Sequence, residues 1–162
     1  MQLNGLITTL PKELKLLIGI FLVVLSMGFF TGLLFVGETS SANPNGIEAH
    51  YLGNENDENA TVMHFKKSER EMLTLVHNHI LSMSIIFFLL GSLVSISKLN
   101  KKLKLFLMLE PFLSVVLTFG GLYLLWCGWL WMTYIVMFSG VLMTTTFTAS
   151  VVIVLKQLLQ KK

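Results

Sequence analysis

Four long apolar segments constrain this chain more than any other feature of its sequence. They occupy residues 14–36, 72–97, 103–126 and 129–155, and a helix needs roughly 20 apolar residues to cross the hydrocarbon core of a bilayer. Hydrophobic residues make up 54% of the chain and charged residues only 13%, about half the charged share of a soluble domain. The sequence therefore predicts an all-α integral membrane protein, with residues 1–162 forming a single transmembrane domain of four spans.

The positions of the lysine and arginine residues predict how the spans are oriented. Nine of these twelve residues lie at or before the start of the first span, at the connection between the second and third spans and the first residues of the third, or after the fourth. Segment 37–71 carries seven of the nine acidic residues. The positive-inside rule makes the basic face cytoplasmic. We therefore expect cytoplasmic N- and C-termini, a long outer loop over 37–71, and a multi-pass protein of a bacterial inner membrane. The short connections at 98–102 and 127–128 predict an antiparallel four-helix bundle.

Local signals predict how the first span packs and where the second helix begins. Gly28 and Gly32 form a G-xxx-G stripe, which is typical of close contact between membrane helices. Residues 39–46 are rich in Ser, Thr, Asn, Pro and Gly, a composition typical of turns. Ser68 followed three residues later by Glu71 matches a capping box, so we expect the second spanning helix to begin near Ser68.

All four histidines lie in the outer loop or in the outer third of the second span. His50 and His64 are in the loop, and His77 and His79 are at the start of the span. An ionisable side chain within a span points to a functional site. Because His77 and His79 are two residues apart, their side chains lie about 200° apart around the helix axis. His77, on the stripe of small residues that includes Ser84, is expected to point into the bundle, and His79 toward lipid, another subunit or the outer loop.

Imidazole groups in this position suggest a cofactor. Histidine binds haem iron, copper and zinc, so His77 and His79 are candidate cofactor-binding residues. If the loop folds over the span, His77, His50 and His64 are candidate metal ligands, with haem or copper as the cofactor. A bis-histidine haem would need a loop histidine or a second protomer, because the other three spans contain none. The alternatives are histidines without a cofactor, bonded to a carbonyl or placed among headgroups, and a proton or quinone role.

Glu110 is a second unusual residue, because it is an acid within the third span. Pro111 follows it and removes one backbone donor. Glu110 is expected either to pair with Lys101 or Lys104 at the membrane interface or to act as a proton relay. Along the helices it lies on the order of 20 Å from His77, so these two residues cannot belong to one site.

Several common functions are excluded by what the sequence lacks. It contains no Walker loop, GxGxxG, GxSxG or HExxH motif, and these motifs accompany the commonest soluble enzyme chemistries. A single cysteine, Cys127, excludes an internal disulfide. No basic stretch interleaved with aromatic residues suggests nucleic-acid binding. An enzyme is disfavoured, since no acid and base pair up near a plausible pocket.

Two strings carry a resemblance to known proteins. They are GIEAHYLG at 46–53 and KSEREM at 67–72, the second followed by HNH at 77–79. Together they resemble small, uncharacterised four-span bacterial inner-membrane proteins with a GI-x-x-HY loop and an H-x-H at the start of the second span. The resemblance covers most of the chain and implies that the loop and the histidine pair belong to one module. It implies no activity.

These observations favour an accessory subunit of a larger membrane redox complex, with a haem or metal site at the outer rim. The first alternative is a structural or assembly subunit without a cofactor, which binds other membrane-protein subunits or a second copy of itself. An oligomeric transporter or channel ranks last, because the sequence has no internal repeat and one acid within its spans, unlike transporters built from paired repeats.

Overall fold

The computed structural model describes residues 4–40, 43–55 and 62–160, and within these ranges it contains helices and connections but no β-strand. Four helical stretches are long and apolar enough to cross a membrane, which confirms the predicted all-α, four-span fold. The elements are a 3₁₀ turn (Leu6–Thr9), α1 (Lys12–Ser40), α2 (Pro44–Leu52), α3 (Glu69–Ser95), α4 (Lys101–Val115), a π-helical segment (Val116–Gly120), α5 (Gly121–Trp126) and α6 (Met132–Leu158). The continuous stretch from α4 through α5 forms the third span.

Both ends of the described chain lie at the same end of the bundle. The amide of Gly5 donates to the carbonyl of Ile96 at 3.1 Å, and the amide of Lys98 donates to Oε1 of Gln157 at 2.7 Å. We call this end the terminal face (4–11, 96–100 and 156–160) and the opposite end the loop face (43–55, 62–68 and 127–131). An even number of crossings follows, as the charge pattern predicts. The assignment of the terminal face to the cytoplasm stays a prediction.

Helix α6 is the centre of the bundle, since it packs against α1, α3, α4 and α5. The ring of Phe147 is fully buried. It stacks on Phe29 of α1 at 3.9 Å between centroids and meets Phe87 of α3 edge-on at 6.3 Å. Because lipid does not drive helices together, such close side-chain packing holds membrane bundles in register. Phe147 thus joins three of the four spans.

Helix α1 is the least packed of the four spans, and its glycine stripe packs against no other described residue. A Cβ atom added at Gly28 or Gly32 would meet nothing within 4 Å. The expectation that these glycines pack against a neighbouring span is therefore wrong for the single chain. The helix packs instead through larger residues on another side, Leu22 and Phe29, both of which are buried.

The predicted turn at 39–46 is replaced by a helix end and a helix start. α1 continues to Ser40, and the side chain of Asn43 accepts a hydrogen bond from the amide of Gly46 at 2.8 Å. Asn43 therefore caps α2, with Pro44 in the first turn, where a missing amide hydrogen costs nothing. The polar, Pro- and Gly-containing composition that predicted a turn is instead that of a helix start. Residues 41–42 and 56–61 of the predicted loop lie outside the described ranges.

The start of α3 is as the sequence predicted. The amide of Glu71 donates to Oγ of Ser68 at 3.3 Å, and the amide of Ser68 donates to Oε2 of Glu71 at 2.8 Å. These reciprocal bonds form the predicted capping box. The Glu71 carboxyl therefore lies near the positive end of the helix dipole, which stabilises an acidic side chain in the first turn.

Candidate functional site

The connecting segment, which we define as residues 43–55 and 62–68, is tied to the loop-face ends of α5 and α6. Oγ1 of Thr133 donates to Oε1 of Glu48 at 2.9 Å. Nε1 of Trp126 donates to the carbonyl of Lys67 at 2.7 Å, and Nζ of Lys66 lies 5.0 Å from the centre of the Trp126 ring. The segment is therefore a docked part of the fold, and Trp126 both marks the membrane interface and holds the segment.

Within this segment, Asn54 holds the stretch 62–67 beside α2. Its side-chain Oδ1 accepts from the backbone amide of His64 at 2.6 Å. Its backbone amide donates to the carbonyl of His64 at 2.9 Å. The rings of His50 and His64 consequently lie 6.1 Å apart. Burial, followed by the nearby charges of Lys67 and His64, lowers the pKa of His50, although a hydrogen bond with the backbone of Thr39 opposes this shift. Burial also raises the pKa of the neighbouring tyrosine at 51.

The structure brings together two of the three predicted metal ligands. His50 and His64 are neighbours, whereas His77 lies on an exposed face of α3. Among the described residues, no group of three His, Cys, Asp or Glu side chains is arranged to hold a metal ion. The predicted set of His77, His50 and His64 is therefore not assembled within the described part of one chain.

The orientations expected for His77 and His79 are reversed. His79 is half-buried and stacks on Phe119 at 4.6 Å between ring centroids, while His77 is exposed. The orientations differ because the prediction had the stripe of small residues facing the bundle. The face of α3 that is buried instead carries Met72, Phe87 and other larger residues. His79 is seven residues from Met72, two helical turns along the same stripe.

His79 is oriented like a ligand. Its Nδ1 lies 2.8 Å from the carbonyl of Leu75. A carbonyl only accepts, so in the neutral ring Nδ1 carries the hydrogen and Nε2 keeps its lone pair. Proteins orient metal-binding histidines in this way. The ring also lines a groove of about 440 Å³ together with Lys67, Arg70, Glu71, Thr74, Leu75 and Asn78. Of the two histidines in the span, His79 is the better candidate for binding a cofactor.

Polar side chains form a ridge along the exposed face of α3. We call the following residues the polar ridge: Arg70, Thr74, His77, Asn78 and Ser82, all of them exposed. The hydroxyls of Thr74 and Ser82 each donate to a carbonyl four residues earlier in the helix at 2.7 Å. By contrast, the side chains of His77 and Asn78 form no hydrogen bond with any described residue.

The ridge descends from the membrane interface into the bilayer. Since His79 stacks on Phe119 in an antiparallel helix, Trp126 lies near the level of Met72. Tryptophan marks the interface between headgroups and hydrocarbon. At 1.5 Å per residue, His77 lies about 8 Å below that level and the end of the ridge about 15 Å below it. The unpaired part of the ridge thus faces the region where lipid tails begin.

Glu110 is buried rather than paired with a lysine. It is 7% exposed, and its Oε1 accepts a short hydrogen bond from Oγ of Ser114. Lys104 instead donates to Oδ1 of Asn4 at 2.9 Å and to the carbonyl of Ser95 at 2.8 Å. The expected ion pair with Lys101 or Lys104 is therefore wrong, because Lys104 bonds to groups at the terminal face.

Sequence reasoning missed the residues that dock the connecting segment. Asn54 and Thr133 belong to no motif, and Glu48 occupies a variable position of the GI-x-x-HY string. The contact between Glu48 and Thr133 joins residues 85 positions apart. For Asn54, its position three residues after the GI-x-x-HY string was the only signal. No spacing rule connects an acid in a loop with a threonine at the start of the fourth span.

Comparison with known proteins identifies a family to which this chain is similar. A family model described as a transmembrane helical domain matches residues 41–162, which include α2 to α6, the polar ridge and Glu110. Helix α1, the least packed span, lies outside the match. No curated protein and no solved structure matches the chain significantly.

Proposed function

Since the chain belongs to the Aq_1264_TM family of transmembrane helical domains, we propose that it is a non-catalytic subunit that binds another membrane protein through the polar ridge of α3. One observation carries this proposal. The side chains of His77 and Asn78 are exposed at membrane depth and have no hydrogen-bond partner in the described chain. Water satisfies such groups in a soluble protein, but lipid tails do not.

The chemistry of the ridge suggests what the partner offers. The amide of Asn78 both donates and accepts, and the imidazole of His77 does the same in its neutral form. Hydrogen bonds between membrane helices contribute about 0.6–2 kcal/mol each. A spanning helix with a polar residue near its loop-face end would satisfy both side chains, and its apolar remainder would pack on Ile85 and Phe88, which are exposed further along α3.

A pair of double variants tests this function. His77→Leu with Asn78→Leu removes the unpaired groups, and Thr31→Leu with Thr145→Leu is the matched control. Both control threonines are exposed and donate only to carbonyls of their own helices. Each protein is extracted from its native membrane in mild detergent, and its size is measured on a native gel. We expect a complex for the wild type and the control and a free monomer for the ridge variant. A ridge variant that keeps the size of the wild-type complex contradicts the proposal.

A second function, a redox subunit with a haem or copper site, is supported by the geometry of His79. Its Nδ1 is held by the carbonyl of Leu75, which leaves Nε2 directed away as a ligand. The test is an absorption spectrum and metal analysis of His79→Gln beside His77→Gln. This function predicts a Soret band or bound copper that only His79→Gln loses. Wild-type protein without either signal contradicts it.

Placement in a bacterial inner membrane, with the terminal face in the cytoplasm, is part of the proposal and is supported by the clustering of lysines. Cys127 is exposed at the loop face and is the single cysteine of the chain. A membrane-impermeant maleimide should therefore label it in intact cells. In a Cys127→Ser background, Lys98→Cys should be labelled only after permeabilisation. The reverse pattern would invert the proposed orientation.

A further inference from the structure

Glu110 stands out among the buried polar residues because half of its carboxyl group is unused. Ser114 donates to Oε1, but Oε2 has no hydrogen-bond partner in the described part of the chain. Oγ of Ser150 on α6 is also buried and unpartnered within the same described residues. Buried polar atoms without a partner are uncommon and call for an explanation. The bundle contains two such atoms, one on the third span and one on the fourth, and their relative positions are therefore important.

The register between α4 and α6 places these two residues within about one helical turn of each other along the bundle. Thr118 and Ser139 share a hydrogen bond of 2.8 Å, and counting along the antiparallel helices from this pair sets Ser150 level with Leu107. Glu110 is one helical turn closer to the loop face. Side chains lean toward the N-terminus of their own helix, so Glu110 leans toward the terminal face and Ser150 toward the loop face. The two unpartnered groups therefore lean toward one another.

The backbone of this span is irregular after Glu110. Pro111 has no amide hydrogen, so the carbonyl of Leu107 loses its α-helical donor. Val116–Gly120 form a π-helical segment, and π-segments within α-helices are frequent at functional sites. An additional acceptor, the carbonyl of Leu107, thus lies at the level of Ser150.

No cation of the described residues pairs with Glu110. Helices α3 and α6 pack against α4, and their buried residues at this level are apolar or carry hydroxyls: Phe87, Leu90, Gly91, Thr146, Phe147 and Ser150. Helix α1 meets this level with the rings of Phe29 and Phe30, both of which pack against Phe147. Lys104, on the same helix as Glu110, donates to Asn4 and Ser95. An ionised carboxylate here would be buried without a counter-ion, which is so costly that such a group is neutralised instead.

We propose that Glu110 is a proton-binding site within the membrane, with its proton on Oε2. The hydroxyl of Ser150, which has no partner among the described residues, is the acceptor once the two side chains rotate toward each other. This arrangement uses both oxygens of the carboxyl group: Oε1 accepts from Ser114, and Oε2–H donates across the helix interface. It also pairs the orphaned hydroxyl of Ser150. Reversible loss of the proton would leave an uncompensated charge in the bundle core, so the protonation state of Glu110 is coupled to the packing of α4 on α6. The proposal is independent of the subunit function, because it uses no residue of the polar ridge.

A hydrophobic carbodiimide tests the proposal directly. N,N′-dicyclohexylcarbodiimide enters the bilayer and reacts with protonated carboxyl groups. The acid proton moves to a nitrogen of the reagent, the carboxyl oxygen bonds to its central carbon, and rearrangement leaves a stable N-acylurea. With the full chain in lipid nanodiscs, peptide mass spectrometry should find Glu110 labelled at neutral pH.

Controls make each outcome decisive. Glu13 and Glu38 are exposed near the ends of α1 and serve as reference carboxyls, which we expect to label only in acid. Glu110→Gln should show no adduct at this position, and Ser150→Ala should shift the infrared C=O band of the protonated acid. No adduct on Glu110 at any pH, while Glu13 and Glu38 react in acid, overturns the proposal. Protection of Glu110 by sodium ions also overturns it, in favour of a metal cation. Both results come from the wild-type chain, so they do not depend on the variants folding.

Discussion

The polar ridge of α3 and the polar seam between α4 and α6 both place hydrogen-bonding groups at membrane depth, but they differ in what surrounds them. We define the buried seam by its members: Glu110, Ser114, Thr118, Ser139, Thr146 and Ser150, all less than 9% exposed. Nearly every group in the seam bonds within the chain, whereas the two side chains of His77 and Asn78 on the ridge bond to no described residue.

This difference separates polar residues that bond within the folded chain from those that need a hydrogen-bond partner on another molecule. A buried hydroxyl that bonds to a neighbouring helix is already compensated, and it fixes the register of the bundle. An exposed amide in lipid is compensated only when another molecule covers it. Helix α1 is a useful reference. Between Leu16 and Phe35 its exposed face carries large apolar residues, and its exposed hydroxyl at Thr31 donates to a carbonyl of its own helix, so this face is compatible with lipid alone. The ridge is not, and this contrast can be tested.

The largest expected effect on stability comes from truncating Phe147, which lies beside the seam, compared with Phe88, which lies on the helix that carries the ridge. Phe147 is fully buried beside the seam, while Phe88 is 66% exposed on α3. Phe147→Ala should lower the free energy of unfolding by about 3–5 kcal/mol, as buried phenylalanine truncations do, and Phe88→Ala by less than about 0.5 kcal/mol. Unfolding in mixed micelles, followed by circular dichroism, measures both. Equal losses would mean that Phe88 is also buried, and the ridge would then not be an exposed surface.

A smaller effect is expected where the connecting segment docks on the seam side of the molecule. Trp126→Phe removes the hydrogen bond to the carbonyl of Lys67 and should cost about 0.5–1.5 kcal/mol. Trp131→Phe is the matched control, because Trp131 is exposed and forms no side-chain hydrogen bond with the described chain. Protease cleavage within 43–68 should accelerate in Trp126→Phe only. Equal cleavage rates in the two variants would argue against docking through Trp126.

The hydrogen bond between Thr118 and Ser139 allows a finer comparison of seam and ridge. Thr118→Val removes this contact between helices and should cost about 0.6 kcal/mol, the average for such bonds in a membrane protein. Thr74→Val on the ridge removes only a bond to a carbonyl of its own helix and should leave stability unchanged. The same micelle unfolding assay measures both. A greater loss for Thr74→Val would place a stabilising contact on the ridge.

The sequence predicted the fold well because bilayer crossing is a matter of length and hydropathy. The four spans and the capping box at Ser68 follow from local patterns that a single chain displays. Which face of a span is buried is another matter. Helix α3 carries small residues such as Ser84 and larger ones such as Met72 on different sides, and the larger side is buried. The orientations of His77 and His79 were therefore reversed.

The candidate site depended on contacts that no local pattern encodes. The sequence singled out Glu110 as an acid in a span, but its environment comes from α6, through Ser150 and the register set by Thr118 and Ser139. The charge pattern suggested a lysine partner because two lysines lie within two helical turns. The structure directs Lys104 to the terminal face instead, where it can reach water. Long side chains at helix ends commonly do this.

The smallest expected effect is a pH dependence confined to the connecting segment, which docks on α5 and α6 and leaves the ridge open. Burial lowers the pKa of His50 from its ordinary value of 6.5, so below that pH the unfolded chain binds more protons than the folded one. The contribution of His50 to stability is therefore fully present above about pH 6.5 and is lost as the pH falls through that value toward the lower folded-state pKa. Hydrogen exchange should show α2 amides opening more often at pH 5 than at pH 8, with His50→Gln removing the difference and His77→Gln keeping it. If His50→Gln instead kept the full pH dependence, the sensitivity would belong to another group of the segment.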